Sequence, residues 1–143
     1  MKCTIEINED REEEIIIYAK KRSRLVDKLE DLATQDDFEL TGYRETASKI
    51  LELSEIYFFT TEDNKVFAVT EKEKWQLKTR LYKIEENLPS SFIKINQSCI
   101  ANIKKIDHFD SMFSGAMAVI FKNGATDYIS RRQLKLIKER LGL

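Results

Sequence analysis

A chain of 143 residues fits one domain of ordinary size, or one domain with a short N-terminal appendage, and a hydrophobic share of 42% excludes intrinsic disorder as its default state. It has no run of about 18 apolar residues, and its charged start (Lys2, Glu6, Glu9, Asp10) lacks the apolar stretch of a signal peptide, so a cytoplasmic protein is expected. The net charge of −1 hides an asymmetry: residues 90–143 hold nine Lys and Arg against four acids, a net of +5, which leaves −6 for the rest, and this pattern fits either nucleic-acid contact by the basic part or an ordinary solvated helix face.

In chain order, Cys3 to Ile7 alternates apolar and polar side chains and predicts an edge-type strand, and the β-branched run within 14–19 predicts a second. From Ser23 the spacing changes. Leu25, Val26, Leu29 and Leu32 fall at helical intervals with Ser23 as cap, which predicts a helix over 23–34. Gln35-Asp36-Asp37 reads as a break, and Phe38 to Tyr43 as a strand ending at Gly42. Residues 47–51 and 55–60 are short strand candidates, and Glu62-Asp63-Asn64 before Lys65 supplies a hairpin turn leading to Val66–Val69. Trp75 to Asn87 shows helical spacing, with Leu77, Leu81, Ile84 and Leu88 as its stripe and Pro89 as its stop.

Phe92–Ile95 and Cys99–Asn102 then flank the polar triplet Asn96-Gln97-Ser98. Residues 105–109 and 116–121 are strand-like around the turn-prone Ser114-Gly115, and Asn123-Gly124 is the strongest hairpin signal of the chain. Ser130 caps a C-terminal helix that buries Leu134, Ile137 and Leu141. The sum is a mostly β (α+β) protein with three helices. A β-α-β extension over 1–46 precedes the main domain over 47–143. No Pro- or Ser-rich linker separates the two, so a boundary near residue 45 is expected to be a close junction of packed units.

Enzyme chemistry is not expected, nor any metal, cofactor or small-molecule substrate. Cys3 and Cys99 both read as small buried hydrophobes without metal-ligand spacing, and His108, the sole histidine, as a core-edge or turn residue. No nucleophile–base arrangement or phosphate loop can be assembled.

Several blocks occur in one order: the hairpin tip from Thr61 to Lys65, a helix ending at Pro89, the run from Phe92 to Ile106, then Phe121-Lys-Asn-Gly124 and Tyr128-Ile-Ser-Arg-Arg-Gln-Leu134. This order resembles the LytTR family of DNA-binding domains, whose pattern is a Phe-x-Arg-x-His-Arg-Ser-x-x-Val-Asn-x-x-x-Ile block, an Asn-Gly hairpin and a terminal Ser-Arg-Arg. The resemblance covers about two-thirds of the chain. Departures stand at Asn96-Gln97 in place of His-Arg, Lys94 in place of Arg and Ala101 in place of Val, so base preference carried by the His position does not transfer. The whole chain is similar to small free-standing LytTR regulators of Gram-positive bacteria that lack a receiver domain.

The resemblance implies an elongated fold of short antiparallel sheets that places loops into successive DNA grooves, and a transcription regulator; because one small module rarely gives enough specificity alone, it is expected to act as a homodimer on promoter repeats. It also implies a companion membrane protein encoded nearby that restrains it. The matching loops carry suitable chemistry. Asn96 and Gln97 have planar amides able to pair with an adenine edge, and Arg132 has the fork for a guanine edge or a phosphate. Asn64 and Lys65 form another contact point, and Ser98, Lys94, Lys104 and Arg131 supply further donors and cations.

Duller roles stand beside these: Asn96, Gln97 and Ser98 as satisfiers of turn backbone, Asn102 as a turn-former, and Arg131 and Arg132 as first-turn surface residues despite a macrodipole cost of about 0.3–1 kcal/mol each. Four to six phosphate contacts among Lys65, Lys94, Lys104, Lys105, Arg131, Arg132 and Lys135 would give a slope of log K against log salt of about −4 to −5. The acidic N-terminal part is expected to pack on the fold, form a dimer surface or meet a regulator. A protein-interaction or signalling module of the same fold without DNA contact is the alternative.

Overall fold

The computed structural model describes residues 2–34 and 38–143. The break expected at Gln35-Asp36-Asp37 lies outside the described residues. After an extended arm, helix α1 (Arg24–Thr34) leads to β1 (Leu40–Arg44), β2 (Ala47–Leu51), a 3-10 turn at Leu53–Glu55, β3 (Phe58–Glu62), β4 (Lys65–Val69) and β5 (Lys74–Leu77). Helix α2 (Leu81–Asn87) follows, then β6 (Phe92–Asn96), β7 (Cys99–Asn102), a 3-10 turn at Ile103–Lys105, β8 (Ile106–Ser111), β9 (Met117–Phe121), β10 (Thr126–Ile129) and α3 (Arg131–Leu141). The strands form a seven-stranded antiparallel sheet ordered β2-β1-β5-β4-β3-β7-β6 and a three-stranded sheet ordered β10-β9-β8. The mostly β architecture with three helices is as the sequence predicts.

Alternation along the large sheet sends side chains into two cores. Phe59, Val66, Ala68, Trp75, Leu77 and Ile100 join Ile84 of α2 in one, while Phe58, Ile95, Cys99 and Ala101 join Val119, Phe121, Ile129 and Ile137 in the other. The second core fixes the small sheet and α3 against the large sheet, with the Phe58 and Phe121 ring centroids 4.6 Å apart. Helix α1 attaches near the C-terminal end of α2, where the Asp31 carboxylate accepts from the Ser90 amide at 2.7 Å and its hydroxyl at 2.8 Å.

Three expectations require correction. Residues 2–23 contain no strand, because neither Cys3–Ile7 nor 14–19 finds a pairing partner among the described residues and their apolar side chains stay exposed. The helix expected over Trp75–Asn87 is a strand followed by a shorter helix: Trp75 and Leu77 are buried while Lys74 and Gln76 face outward, a period of two that the Leu77-Leu81-Ile84-Leu88 spacing masks. Cys3 is exposed, although Cys99 is buried as expected. The expected junction near residue 45 falls in the β1–β2 turn, where Glu45 takes a φ of 44°, and Leu40 pairs with Leu51 across it, so the large sheet runs through that point.

Gly42 sets the approach of β1 to β5. A Cβ there would lie 2.6 Å from Trp75 Cβ and 2.9 Å from Leu51 Cδ1, closer than packed atoms allow. Gly42→Ala is expected to destabilise the chain by about 1–3 kcal/mol by denaturant titration. A change within about 0.5 kcal/mol would mean that β1 can shift away at little cost.

Candidate nucleic-acid interface

The β3–β4 hairpin ends in a two-residue turn at Asp63-Asn64, with φ of 49° and 63° and Glu62 opposite Lys65. Both residues in the left-handed region make it a type I′ turn, for which Asp and Asn are suited. Asn64 and Lys65 are therefore held out at a rigid tip, both exposed.

Beside it lies the β6–β7 turn. Thr61 N–H donates to the Ser98 carbonyl at 3.0 Å, joining the two tips. Gln97 and Ser98 are exposed there. Asn96 is not: it is buried, and its amide donates to Asp127 Oδ1 at 2.9 Å and the Tyr128 carbonyl at 2.8 Å, while its Oδ1 accepts from Ser98 N–H at 2.9 Å. All of its reading groups are thus committed, and Asn96 is withdrawn from the base-reading residues. Its function is to tie the β6–β7 turn to the end of β10.

The register of β6 shifts between Lys94 and Asn96, and within that irregularity the Ile95 carbonyl accepts from Ser130 N–H at 2.9 Å. Ser130 in turn caps α3, its hydroxyl accepting from Gln133 N–H. Arg131 and Arg132 therefore begin α3 next to the β6–β7 turn, both exposed. The Arg131 guanidinium donates to the Ser114 carbonyl, bringing the 112–116 loop to the same end of the molecule. The hairpin tip, the Gln97-Ser98 turn and the α3 start thus stand in series along one rim. At about 4.8 Å per strand, its β4-β3-β7-β6 part alone is roughly 15 Å across.

Two other expected residues lie elsewhere. Lys94 sits within β6 on the α2 side, paired with Glu85 at 3.7 Å. Lys104 lies past the far end of β7, in a turn fixed by buried Asn102, which donates to the Ile56 carbonyl at 2.8 Å and accepts from Lys104 N–H at 3.1 Å. Strand direction puts this turn opposite the rim, so Lys104 leaves the set, and Asn102 is a turn-former.

The rim has cations that the sequence reading missed. Lys78 and Arg80, between β5 and α2, line a cleft with Asn64 and Lys65. Both are exposed, and the Lys78 ammonium lies 4.3 Å over the Tyr43 ring. Helical spacing over this stretch hides them, since only the strand turn before α2 presents them beside the hairpin tip.

Neither remaining ionisable group of note belongs to the rim. The Cys99 thiol is pushed up by burial and by neighbouring Asp127, and so stays protonated and unreactive. His108, expected at a core edge or turn, is exposed on β8. A hydrogen bond to Asp107 is the main cause raising it above the ordinary histidine value, with Asp110 adding to it.

The LytTr DNA-binding domain family model matches residues 47–142. A protein of Staphylococcus aureus (strain NCTC 8325 / PS 47) that carries the name HTH-type transcriptional regulator is 34% identical over 146 residues, spanning 100% of this chain and 99% of its own. Its counterpart in Staphylococcus aureus (strain MRSA252) has the same identity and coverage. The solved LytTr DNA-binding domain from Bacillus cereus superposes with a TM-score of 0.70 at 21% identity, over 73% of this chain and 97% of that one, which shows the fold. No two helices are consecutive among the described elements, so the helix-turn-helix of the relatives' name has no counterpart here. With a family match over about two thirds of its length, and relatives alike from end to end, the chain belongs to the LytTr DNA-binding domain family.

Proposed function

We propose that this chain is a sequence-specific double-stranded DNA-binding transcription regulator, acting in the cytoplasm as a homodimer on repeated promoter sites. Gln97 and Arg132 read base edges in the major groove. Asn64 and Ser98 add polar contacts, and Lys65, Lys78, Arg80 and Arg131 hold phosphates. The observation that carries the reading is the alignment of the hairpin tip, the β6–β7 turn and the α3 start on one rim. The Gln97 amide offers the donor and acceptor that match an adenine edge, and the Arg132 fork matches guanine O6 and N7. Two cations at a helix N-terminus oppose its macrodipole, a cost that an external anion offsets. One small module supplies limited specificity, which is why paired sites are part of the proposal.

A gel-shift against genomic fragments tests this: a discrete fragment bound at nanomolar protein is expected, whereas indiscriminate micromolar binding would favour a protein-interaction module of the same fold. On the fragment so found, Arg132→Ala is expected to weaken binding by about 1–3 kcal/mol and relax choice at one base pair. Lys104→Ala, at the far end of β7, should leave binding within about twofold of wild type. Equal losses for the two would remove the assignment of Arg132 to a base and of the rim to the DNA.

A further inference from the structure

Residues 12–22 read Glu-Glu-Glu-Ile-Ile-Ile-Tyr-Ala-Lys-Lys-Arg: three acids, five residues that are mostly apolar, three bases. In the structure this stretch has neither helix nor strand, and among the described residues no backbone hydrogen bond joins it to the rest of the chain. Ile15, Ile16 and Tyr18 are 67%, 60% and 93% exposed. An extended β-branched segment left in water in this way has both a backbone ladder and an apolar surface to satisfy.

We infer that residues 13–21 pair with the same residues of a second copy of this chain, as two antiparallel strands related by a two-fold axis through Ile17. In that register Glu14 faces Lys20, Glu13 faces Lys21, Ile15 faces Ala19 and Ile16 faces Tyr18, and the two-fold axis repeats each pair. Opposite charges then flank an apolar centre on both sides, the arrangement that stabilises cross-strand pairs. A parallel pairing sets acid against acid and base against base, and a slip of one residue sets Lys20 against Ile15. Folding back in the same register would put Ile16, Ile17 and Tyr18 into a three-residue turn, a place that favours glycine and left-handed backbone, whereas a second copy pairs the whole segment.

The rest of the arm agrees. Arg22 is held by Asp27 at 2.7 Å and by Glu30 of its own α1, which marks where the paired strand ends. Glu13, Glu14, Lys20 and Lys21 have no ion pair among the described residues. A two-stranded ribbon alone is marginal, and Ile5 and Ile7, 80% and 88% exposed beyond the Asn8–Arg11 turn, provide each copy with a second extended segment to flank the central pair. This pairing rests on the homodimer part of the proposed function but on none of the DNA contacts, so it stands or fails apart from them.

The test is sedimentation of the full chain without DNA, at concentrations up to about 100 µM. Wild type is expected to dimerise. E13K/E14K and K20E/K21E should each raise the dimer dissociation constant by about 30-fold or more. Mixing these two variants should give a one-to-one heterodimer, and the chain carrying all four changes should return to a homodimer. Circular dichroism matching wild type identifies each variant as folded. A monomeric wild type, charge variants that dimerise as well as wild type, or a mixture that stays monomeric would each overturn the proposal. The last outcome would point instead to the acidic arm lying on the basic rim of its own chain.

Discussion

Asn96→Ala is expected to lower stability by about 2–4 kcal/mol, and so the melting temperature by about 10 °C. The side chain is buried and makes three hydrogen bonds, to Asp127, Tyr128 and Ser98. Alanine removes all three and leaves the Tyr128 carbonyl and the Ser98 amide without these partners, a cost larger than the net worth of the bonds themselves. Asn96→Asp should also destabilise, because it replaces the donor facing the Asp127 carboxylate by an acceptor. Gln97→Ala, one residue on and exposed, should leave the melting temperature within about 2 °C of wild type while weakening DNA binding. If instead Asn96→Ala melted with wild type and lost only DNA affinity, the amide would be a reader after all.

That pair of neighbours shows how far the sequence could be read. Asn96 and Gln97 carry the same amide chemistry in the same polar triplet, and nothing in residue type separates them. What separates them is the irregularity of β6 at Ile95, which turns the carbonyl of Ile95 to Ser130 and the Asn96 side chain inward onto β10. A long-range contact of this kind has no local signal. The turns, by contrast, were legible because their residues are chosen for backbone reasons: Asp63-Asn64 takes two left-handed conformations, Ser130 caps α3, and Gly142 closes that helix with a φ of 72°. Apolar runs with more than one period, such as Trp75 to Leu88, were not legible in this way, nor were the segments within 3–7 and 14–19, whose strand-like patterns stay unpaired among the described residues. A strand is a property of two partners, and among the described residues these segments have no second one.

Removing three rim cations should have a different signature from removing three cations elsewhere. For the combined variant Lys65→Ala, Lys78→Ala and Arg80→Ala, the salt slope is expected to become shallower by about 3 from a wild-type value of about −4 to −5, with affinity near 0.15 M salt falling about 100-fold. Each lost phosphate contact releases one fewer set of counterions, so the slope reports contacts, whereas a general change of net charge acts weakly through a screening length of about 8 Å. The control has the same change of charge: Lys94→Ala, Lys104→Ala and Lys122→Ala together. Lys94 is committed to Glu85 on the α2 side, and Lys104 and Lys122 lie at the opposite end of the strands, where Lys122 N–H bonds the Lys105 carbonyl. Its slope should match wild type to within about 1. A common slope for the two variants would mean that DNA responds to the overall field of the protein, and the rim would have no special claim to it.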